Sequence, residues 1–397
     1  MGVLEDPRPP PVPEPEVARD IATRVPSRSG QALVLTGVRR SGKSVLQAQL
    51  MRRRRGACYC NIEDPRLYGF GPEDFAAFLS VLDELAPGRA PVFLDEVQEA
   101  RDWQRLVRAL LDRGRTVCVT GSNASLLGRE LGTRLTGRHL TFEVFPFSYG
   151  EYLARVGSKA GAASLTAYLD DGGFPAYLRE RSPQLLGELF RDIVQRDIAA
   201  RHRLRETRHV MNLALYLMAN TGQPLSLQTL TKSLAIPSVA QTSRYTEYLE
   251  DAYLLLALPK YSPSFKRRVV APNKYYAVDP GLRRAVSPRA PLDAGHRLEN
   301  VVYLALRRRR GPVFWAGEKD AWECDFVTDR EAIQVCLRLT PENRARELRG
   351  LVQACRLPGR RRPFVLTLNQ RDAIATDGLE IAVRPAWEWL LDEPVAA

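Results

Sequence analysis

Eight consecutive residues, Gly37-Val38-Arg39-Arg40-Ser41-Gly42-Lys43-Ser44, carry the spacing G-x-x-x-x-G-K-[ST]. Glycines in that pattern let backbone N–H groups curl around phosphate oxygens, and a helix opening at the lysine adds the partial positive charge of its N-terminus. Lys43 would reach the β- and γ-phosphates of a nucleotide, and Ser44 would bind Mg²⁺. Gly37, Gly42, Lys43, Ser44 and Val45 are therefore the expected nucleotide contacts.

A second element, Pro91-Val92-Phe93-Leu94-Asp95-Glu96, is a β-type run ending in two carboxylates. Asp95 would hold Mg²⁺ through water, and Glu96 would orient or deprotonate an attacking water. The bland alternative is two solvated turn residues. Together the two elements predict hydrolysis of ATP. The next strand ends Thr120-Gly121-Ser122-Asn123, where Asn123 is the candidate γ-phosphate sensor and Ser122 the alternate. Beyond it, Arg138 and then Arg134 are candidates for an arginine completing the site, in cis or from a neighbouring subunit. Surface roles are the alternative for both.

These residues need a scaffold, and the sequence supplies one. Strand patterns at Ala32–Thr36, Ala57–Asn61, Pro91–Leu94, Thr116–Thr120 and Arg138–Val144 alternate with helical patterns near 43–51, 72–86 and 103–113. Strict alternation predicts a parallel sheet covered on both faces. From 150 to 220 the period is helical. Residues 225–278 read as helix, turn, helix and two strands joined by a basic turn. From about 290 the pattern is helix, three strands, helix, strand, strand.

The 397 residues suit several domains. At 45% hydrophobic and 26% charged, they exclude a wholly disordered chain. The longest apolar run, Ala252–Pro259, is far short of the ~18 residues a membrane span needs. The N-terminus is proline-rich and acidic rather than signal-like, so a soluble cytoplasmic protein is expected. Residues 1–26 read as a passive tail, with a docking motif as the alternative. Six cysteines show no metal spacing; Cys58 and Cys60 alternate as if on one face of a strand. The net charge of +12 favours a polyanionic partner.

The stretches LTGVRRSGKS, VFLDEVQEARDW, TGSNAS, LTGRHLTFEVFPFSYGEYL, YLDDGGFPAYL, DIVQRDIAARHRLRE, NKYYAVDPGLRRA, HRLENVVYLAL and ECDFVTDREAIQVCLRL span nearly the whole chain after residue 30. In them the chain resembles bacterial and archaeal AAA ATPases that join a P-loop core to a C-terminal domain related to PD-(D/E)XK nucleases. The resemblance implies an α/β multidomain protein with a P-loop AAA+ core, a helical lid, a winged helix and a degenerate restriction-endonuclease-like α/β domain. The corresponding ranges are 27–150, 151–204, 205–285 and 286–397. In related signalling ATPases a Gly-x-Pro segment opening the lid packs against nucleotide, which implies that role for Gly173 and Pro175; a plain turn is the alternative.

Within the basic module, helices at 225–235 and 238–250 meet at Ile236-Pro237, a helix-turn-helix pattern in which Ser238 supplies an N-cap. Gln241, Thr242, Arg244 and Tyr245 are expected on the exposed start of the second helix, as groove readers. Lys266, Arg267 and Arg268 would form a wing. Residues 205–285 hold eleven Lys/Arg against five Asp/Glu. DNA binding follows, with protein docking as the alternative use of such a module. The runs Arg52–Arg55 and Arg307–Arg310 each end a predicted helix, where cations suit the dipole.

A PD-(D/E)XK site needs an acid on a helix, an Asp on one strand and an acid and Lys on the next. Here Glu299 and Asp325 fill the first two places, but Gln334 and Cys336 replace the others. The domain is expected to be an inactive nuclease fold, with Glu299 and Asp325 in surface or structural roles. The leading expectation is a Mg²⁺-dependent ATPase that binds and remodels or moves along DNA, ring-like if Arg138 acts in trans. A signalling switch on a protein partner and an ATP-dependent nuclease are the alternatives.

Overall fold

In the computed structural model, which describes residues 16–122, 137–287 and 294–392, five short strands form one parallel sheet. They are β1 (Ala32–Thr36), β2 (Cys58–Asn61), β3 (Val92–Asp95), β4 (Val117–Gly121) and β5 (His139–Glu143). The order is β2-β3-β4-β1-β5 with every pairing parallel. Strand ends fall within one residue of the sequence expectation.

Residue parity explains how both faces are covered. The helix α1 (Lys43–Arg52) packs on the face that takes Leu33, Leu35, Tyr59 and Phe93. The helices α2 (Phe75–Leu85) and α3 (Trp103–Asp112) pack on the other, against Val34, Cys58, Cys60, Leu94 and Val119. Cys58 and Cys60 do share a face, and burial pushes the Cys60 thiol up to about 12. Residues 16–26 are not a passive tail. Val17, Arg19, Ala22 and Val25 are buried, because a turn at Asp20–Thr23 lays them on the α1 face. This unit runs to Pro146 and includes Asp251–Tyr253.

The second unit comprises Phe147–Glu250 and the described residues from Leu254 onward. It opens with α4 (Tyr149–Val156), started by a reciprocal capping box between Ser148 and Glu151. Then come α5 (Ala162–Asp171), α6 (Pro175–Glu180), α7 (Pro183–Asp192), a π-helical stretch Ile193–Ala200 and α8 (Arg208–Ala219). The pair α9 (Leu227–Ser233) and α10 (Val239–Asp251) leads to an antiparallel ribbon, β6 (Leu255–Leu258) and β7 (Lys274–Ala277). The expected wing is corrected here. Residues Phe265–Val270 form a helical turn, α11, capped by Ser264, whose hydroxyl accepts from Arg267 N.

After α12 (Pro280–Val286) and α13 (Ala294–Arg308), a six-stranded mixed sheet closes the chain. Its strands are β8 (Phe314–Glu318), β9 (Trp322–Val327), β10 (Glu331–Val335), β11 (Arg362–Thr367), β12 (Asp372–Thr376) and β13 (Leu379–Pro385), in the order β12-β13-β11-β10-β9-β8. One strand more than expected follows the helix α14 (Pro341–Arg356), because Asp377-Gly378 turns the last extended run into a hairpin. Among the described residues no helix is long and apolar enough to cross a membrane.

Candidate functional site

The glycine loop follows β1 directly and its geometry depends on residue type. Gly37 has φ +150°, and a Cβ there would lie 2.1 Å from the carbonyl oxygen of Val144. Gly42, at φ 96°, precedes α1 in a left-handed conformation that costs glycine little. Lys43 is buried, and its ammonium donates to the carbonyls of Gly37 and Val38, both at 3.1 Å. Ser44 and Val45 follow in the first turn of α1. The hydroxyls of Thr36 and Ser41 are buried without a hydrogen-bond partner in the protein. Unspent donors beside a buried ammonium at a helix start fit a phosphate group.

Two side chains that sequence reading passed over hold this loop. Arg19 donates to Ser41 O at 2.9 Å and to Phe145 O at 2.6 Å, fastening the loop from beneath. Gln47, one turn into α1, donates to Leu94 O and Cys118 O, each at 3.2 Å. That amide seats the phosphate helix on the last residues of β3 and the middle of β4. A polar residue on the otherwise buried face of α1 was the available signal.

At the end of β3, Asp95 is 4% exposed and held on both oxygens. Tyr59 OH donates to Oδ2 at 2.8 Å, and the Thr120 hydroxyl donates to Oδ1. Thr120 also accepts from Glu96 N at 2.9 Å. Glu96 itself adopts φ 49°, ψ 50°, a strained conformation for a non-glycine residue, and its carboxylate accepts from Gln98 Nε2 at 2.6 Å. A pinned Asp beside a reorientable Glu is an arrangement that can bind Mg²⁺ with Ser44 and direct water. Burial and the Asp95 charge drive the Tyr59 hydroxyl far above its ordinary range, so it stays a donor.

Ser122 lies just past β4 and is buried, whereas Asn123 and Arg134 lie outside the described residues. Arg138 is corrected as a cis group. It precedes β5, whose register pairs Ala32 with His139 and Thr36 with Glu143, so Arg138 sits at the strand-start edge. The glycine loop is at the opposite edge, about 16 Å away at ~3.3 Å per residue. There Arg138 pairs with Asp112 at 2.7 Å.

In the second unit, Gly173 N donates to Asp279 Oδ2 at 2.6 Å, and Phe147 N donates to Gly173 O at 2.8 Å. Pro175 opens α6 at its first turn, where its missing N–H costs nothing. Asp279 also caps α12 by accepting from Leu282 N at 2.8 Å.

The helix-turn-helix pair exposes only part of its expected face. Ser238 accepts from Gln241 N at 3.2 Å, and Arg244 is exposed. Thr242 and Tyr245 are corrected to core positions. Thr242 is fully buried against Thr231 at 2.8 Å, and Tyr245 is 5% exposed with Gln241 donating to its hydroxyl at 2.6 Å. They lie on the inner stripe of α10, three residues apart. Lys266 and Arg267 are exposed on α11, while Arg268 lies over the rings of Phe265 and Phe314. Lys274 and Arg283, counted in the basic excess, are buried.

Glu299 on α13 and Asp325 on β9 do converge, but not at a surface. They are 7% and 5% exposed, and both bond to Lys274 of β7. Gln334 donates to Glu347 at 2.7 Å, and the Cys336 thiol is pushed up to about 12 by burial. Among the described residues no group of three or more His, Cys, Asp or Glu is arranged to hold a metal ion. The PD-(D/E)XK metal therefore finds no fit here.

Comparison with known proteins agrees with the site. Residues 29–153 match the family model described as an AAA domain, and residues 162–293 match a domain of unknown function, DUF8612. The second match ends before α13. An uncharacterized protein of Methanocaldococcus jannaschii is 29% identical over 392 residues, covering 90% of this chain and 88% of that one. A solved structure, a signal transduction ATPase with numerous domains and a tetratricopeptide repeat sensor from Pyrococcus horikoshii, shares 14% identity at a TM-score of 0.32. That match covers 76% of this chain and 46% of the other. An uncharacterized protein of Haemophilus influenzae is 30% identical over 382 residues, covering 90% of this chain and 94% of that one. The chain therefore belongs to that protein's family, and its glycine loop and paired carboxylates lie within the stretch that matches an AAA domain.

Proposed function

We propose that the first unit binds ATP and hydrolyses it to ADP and phosphate, and that the nucleotide state governs how the second unit holds DNA. The observation that carries this is the pair of hydrogen bonds that the Gln47 amide donates to Leu94 O and Cys118 O, which brings Lys43 and Asp95 to one edge of the sheet. Gly37, Gly42, Lys43, Ser44 and Val45 take the phosphates. Ser44 and Asp95 hold Mg²⁺, which neutralises charge on the β- and γ-phosphates. Glu96, released from Gln98, accepts a proton from the attacking water, and Ser122 or Asn123 senses the γ-phosphate. Gly173 and Pro175 answer to nucleotide. Arg138, or Arg134, acts in trans within a homo-oligomer.

On the DNA side, Gln241 and Arg244 of the helix-turn-helix pair and Lys266, Arg267 and Arg268 of the helical turn α11 form the contact surface. The C-terminal sheet is an inactive nuclease-like fold. A second reading, a switch acting on a protein partner, is favoured by the apolar exposure of α11. Phe265, Val269 and Val270 are 72%, 67% and 77% exposed.

Steady-state ATPase rates separate the two. Wild type and Glu96→Gln are assayed without nucleic acid and with duplex, single-stranded and branched DNA, at low and moderate salt. Stimulation by one DNA form, absent in Glu96→Gln, supports the DNA reading. A wild-type rate indifferent to every nucleic acid moves the assignment to the protein-partnered switch.

A further inference from the structure

The Lys274 ammonium has three N–H donors, and three carboxylates surround it: Glu323 at 2.9 Å, Glu299 at 3.1 Å and Asp325 at 3.2 Å. The lysine is 1% exposed. Two of the acids are further tied. Tyr276 OH, two residues along β7 on the same face, donates to Glu299 at 2.6 Å, and Val335 N donates to the second oxygen of Asp325 at 2.9 Å. Burial alone would strip the proton from such a lysine, but the charges of Glu299, Asp325 and Glu323 outweigh it and drive its pKa upward. The cluster floors a cavity of about 1170 Å³ whose lining also includes Lys260, Trp315 and Arg349.

Carboxylate oxygens are the donors a hard divalent cation takes, at about 2.0–2.6 Å, and Glu299, Asp325 and the more exposed Glu323 each turn one oxygen toward a single point. Here the point is occupied by nitrogen at hydrogen-bonding distance. A divalent ion at the same place would sit against a fixed positive charge, so lysine and metal exclude each other.

We propose that Lys274 is the resident cation of this centre, standing where a divalent metal would be, so that the C-terminal domain works without metal and the cluster serves to bind β7 to it. Only the expectation of a metal rests on the nuclease-like reading; the exclusion rests on the three carboxylates around Nζ. Removing the ammonium leaves two desolvated carboxylates, Glu299 and Asp325, beside the exposed Glu323, and the buried pair must take up a proton or recruit a cation.

The test measures thermal unfolding of nucleotide-free wild type, Lys274→Ala and Lys274→Met, with millimolar Mn²⁺ or Mg²⁺ against NaCl of equal ionic strength. The expected result is a lowered melting temperature in Lys274→Ala that Mn²⁺ raises by several degrees, and a wild type that Mn²⁺ leaves unmoved. The rescue should vanish when Glu299→Gln and Asp325→Asn are added. A Lys274→Ala protein indifferent to Mn²⁺ would overturn the proposal. Should neither lysine variant fold, Mn²⁺ titration of wild type decides by electron paramagnetic resonance: tight binding abolished in Asp325→Asn overturns it, and no such binding supports it. Mg²⁺-dependent DNA cleavage by wild type, abolished by Glu299→Ala, would overturn both this proposal and the inactive-nuclease reading. Failure of the nuclease-like reading alone would leave the Mn²⁺ results as expected.

Discussion

Tyr59 donates its hydroxyl to Asp95 across 2.8 Å, from the strand paired beside the one that ends in that carboxylate. Hydrogen bonds to charged groups contribute about 1.5–3 kcal/mol. Tyr59→Phe should keep the fold, lose stability of that order, and raise the Mg²⁺ concentration for half-maximal ATPase about three- to tenfold. Unchanged Mg²⁺ dependence would mean that Thr120 alone positions Asp95.

Lys43→Ala and Glu96→Gln should fail differently. Without the Lys43 ammonium, nucleotide binding is lost. Glu96→Gln keeps binding and loses hydrolysis by about 10²–10⁴-fold, the range of a general base. Fluorescent-nucleotide titration beside a phosphate-release assay distinguishes them, and equal binding loss in both would reassign Glu96 to a structural part.

Gly37→Ala must push a Cβ against the Val144 carbonyl, whereas Gly30→Ala meets nothing within 4 Å. The first should cost on the order of 2–4 kcal/mol and abolish ATP binding. The second should be close to neutral. Urea unfolding of both variants reads this directly.

On the basic surface, replacing Lys266, Arg267 and Arg268 together with Ala should weaken DNA binding uniformly across sequences. The slope of log K against log salt should fall by about one for each phosphate that is no longer neutralised. Thr242→Val should instead leave the salt slope alone and act on stability, since Thr242 is buried against Thr231.

Asp279 gives a pH signature. Burial pushes its carboxyl up to about 6, against the pull of the N–H groups of Gly173 and Leu282. The folded value lies above the unfolded one, so the folded chain holds this proton more tightly between about pH 4 and 6. Its stabilising contribution is full below that window and is lost as pH rises through it, on the order of 2–3 kcal/mol. Asp279→Asn cannot titrate. The stability of wild type relative to the variant should therefore fall from about pH 4.5 to 7, and a widening advantage would contradict the assignment.

The strand–helix alternation could be read in advance because β1, β3 and β4 are buried on both faces and so spell near-continuous apolar runs. The glycine loop could be read because only one spacing of Gly, Lys and Ser wraps a phosphate. Polar residues with distant partners gave no such pattern. Arg19, Gln47 and Tyr59 act through partners 22 to 126 residues away in sequence, which no local period reports. Thr242 and Tyr245 misled because polar atoms suggest exposure, yet here each hydroxyl finds a partner within the helix pair. Arg138 misled because composition says nothing of which edge of a sheet a residue occupies. In the C-terminal sheet the missing lysine just past β10 was visible at Cys336; the replacement of a metal by Lys274 of β7, more than 60 residues earlier, was not.

That replacement decides where the polypeptide can be divided. A fragment cut at the boundary suggested by sequence, between 285 and 286, leaves Lys274 and Tyr276 on one piece and Glu299, Glu323 and Asp325 on the other. The C-terminal piece would carry two buried carboxylates, Glu299 and Asp325, with no counter-charge, and the other piece a bare ammonium on a strand edge. Expression of either half by itself should give insoluble material, while co-expression of the two should restore soluble protein.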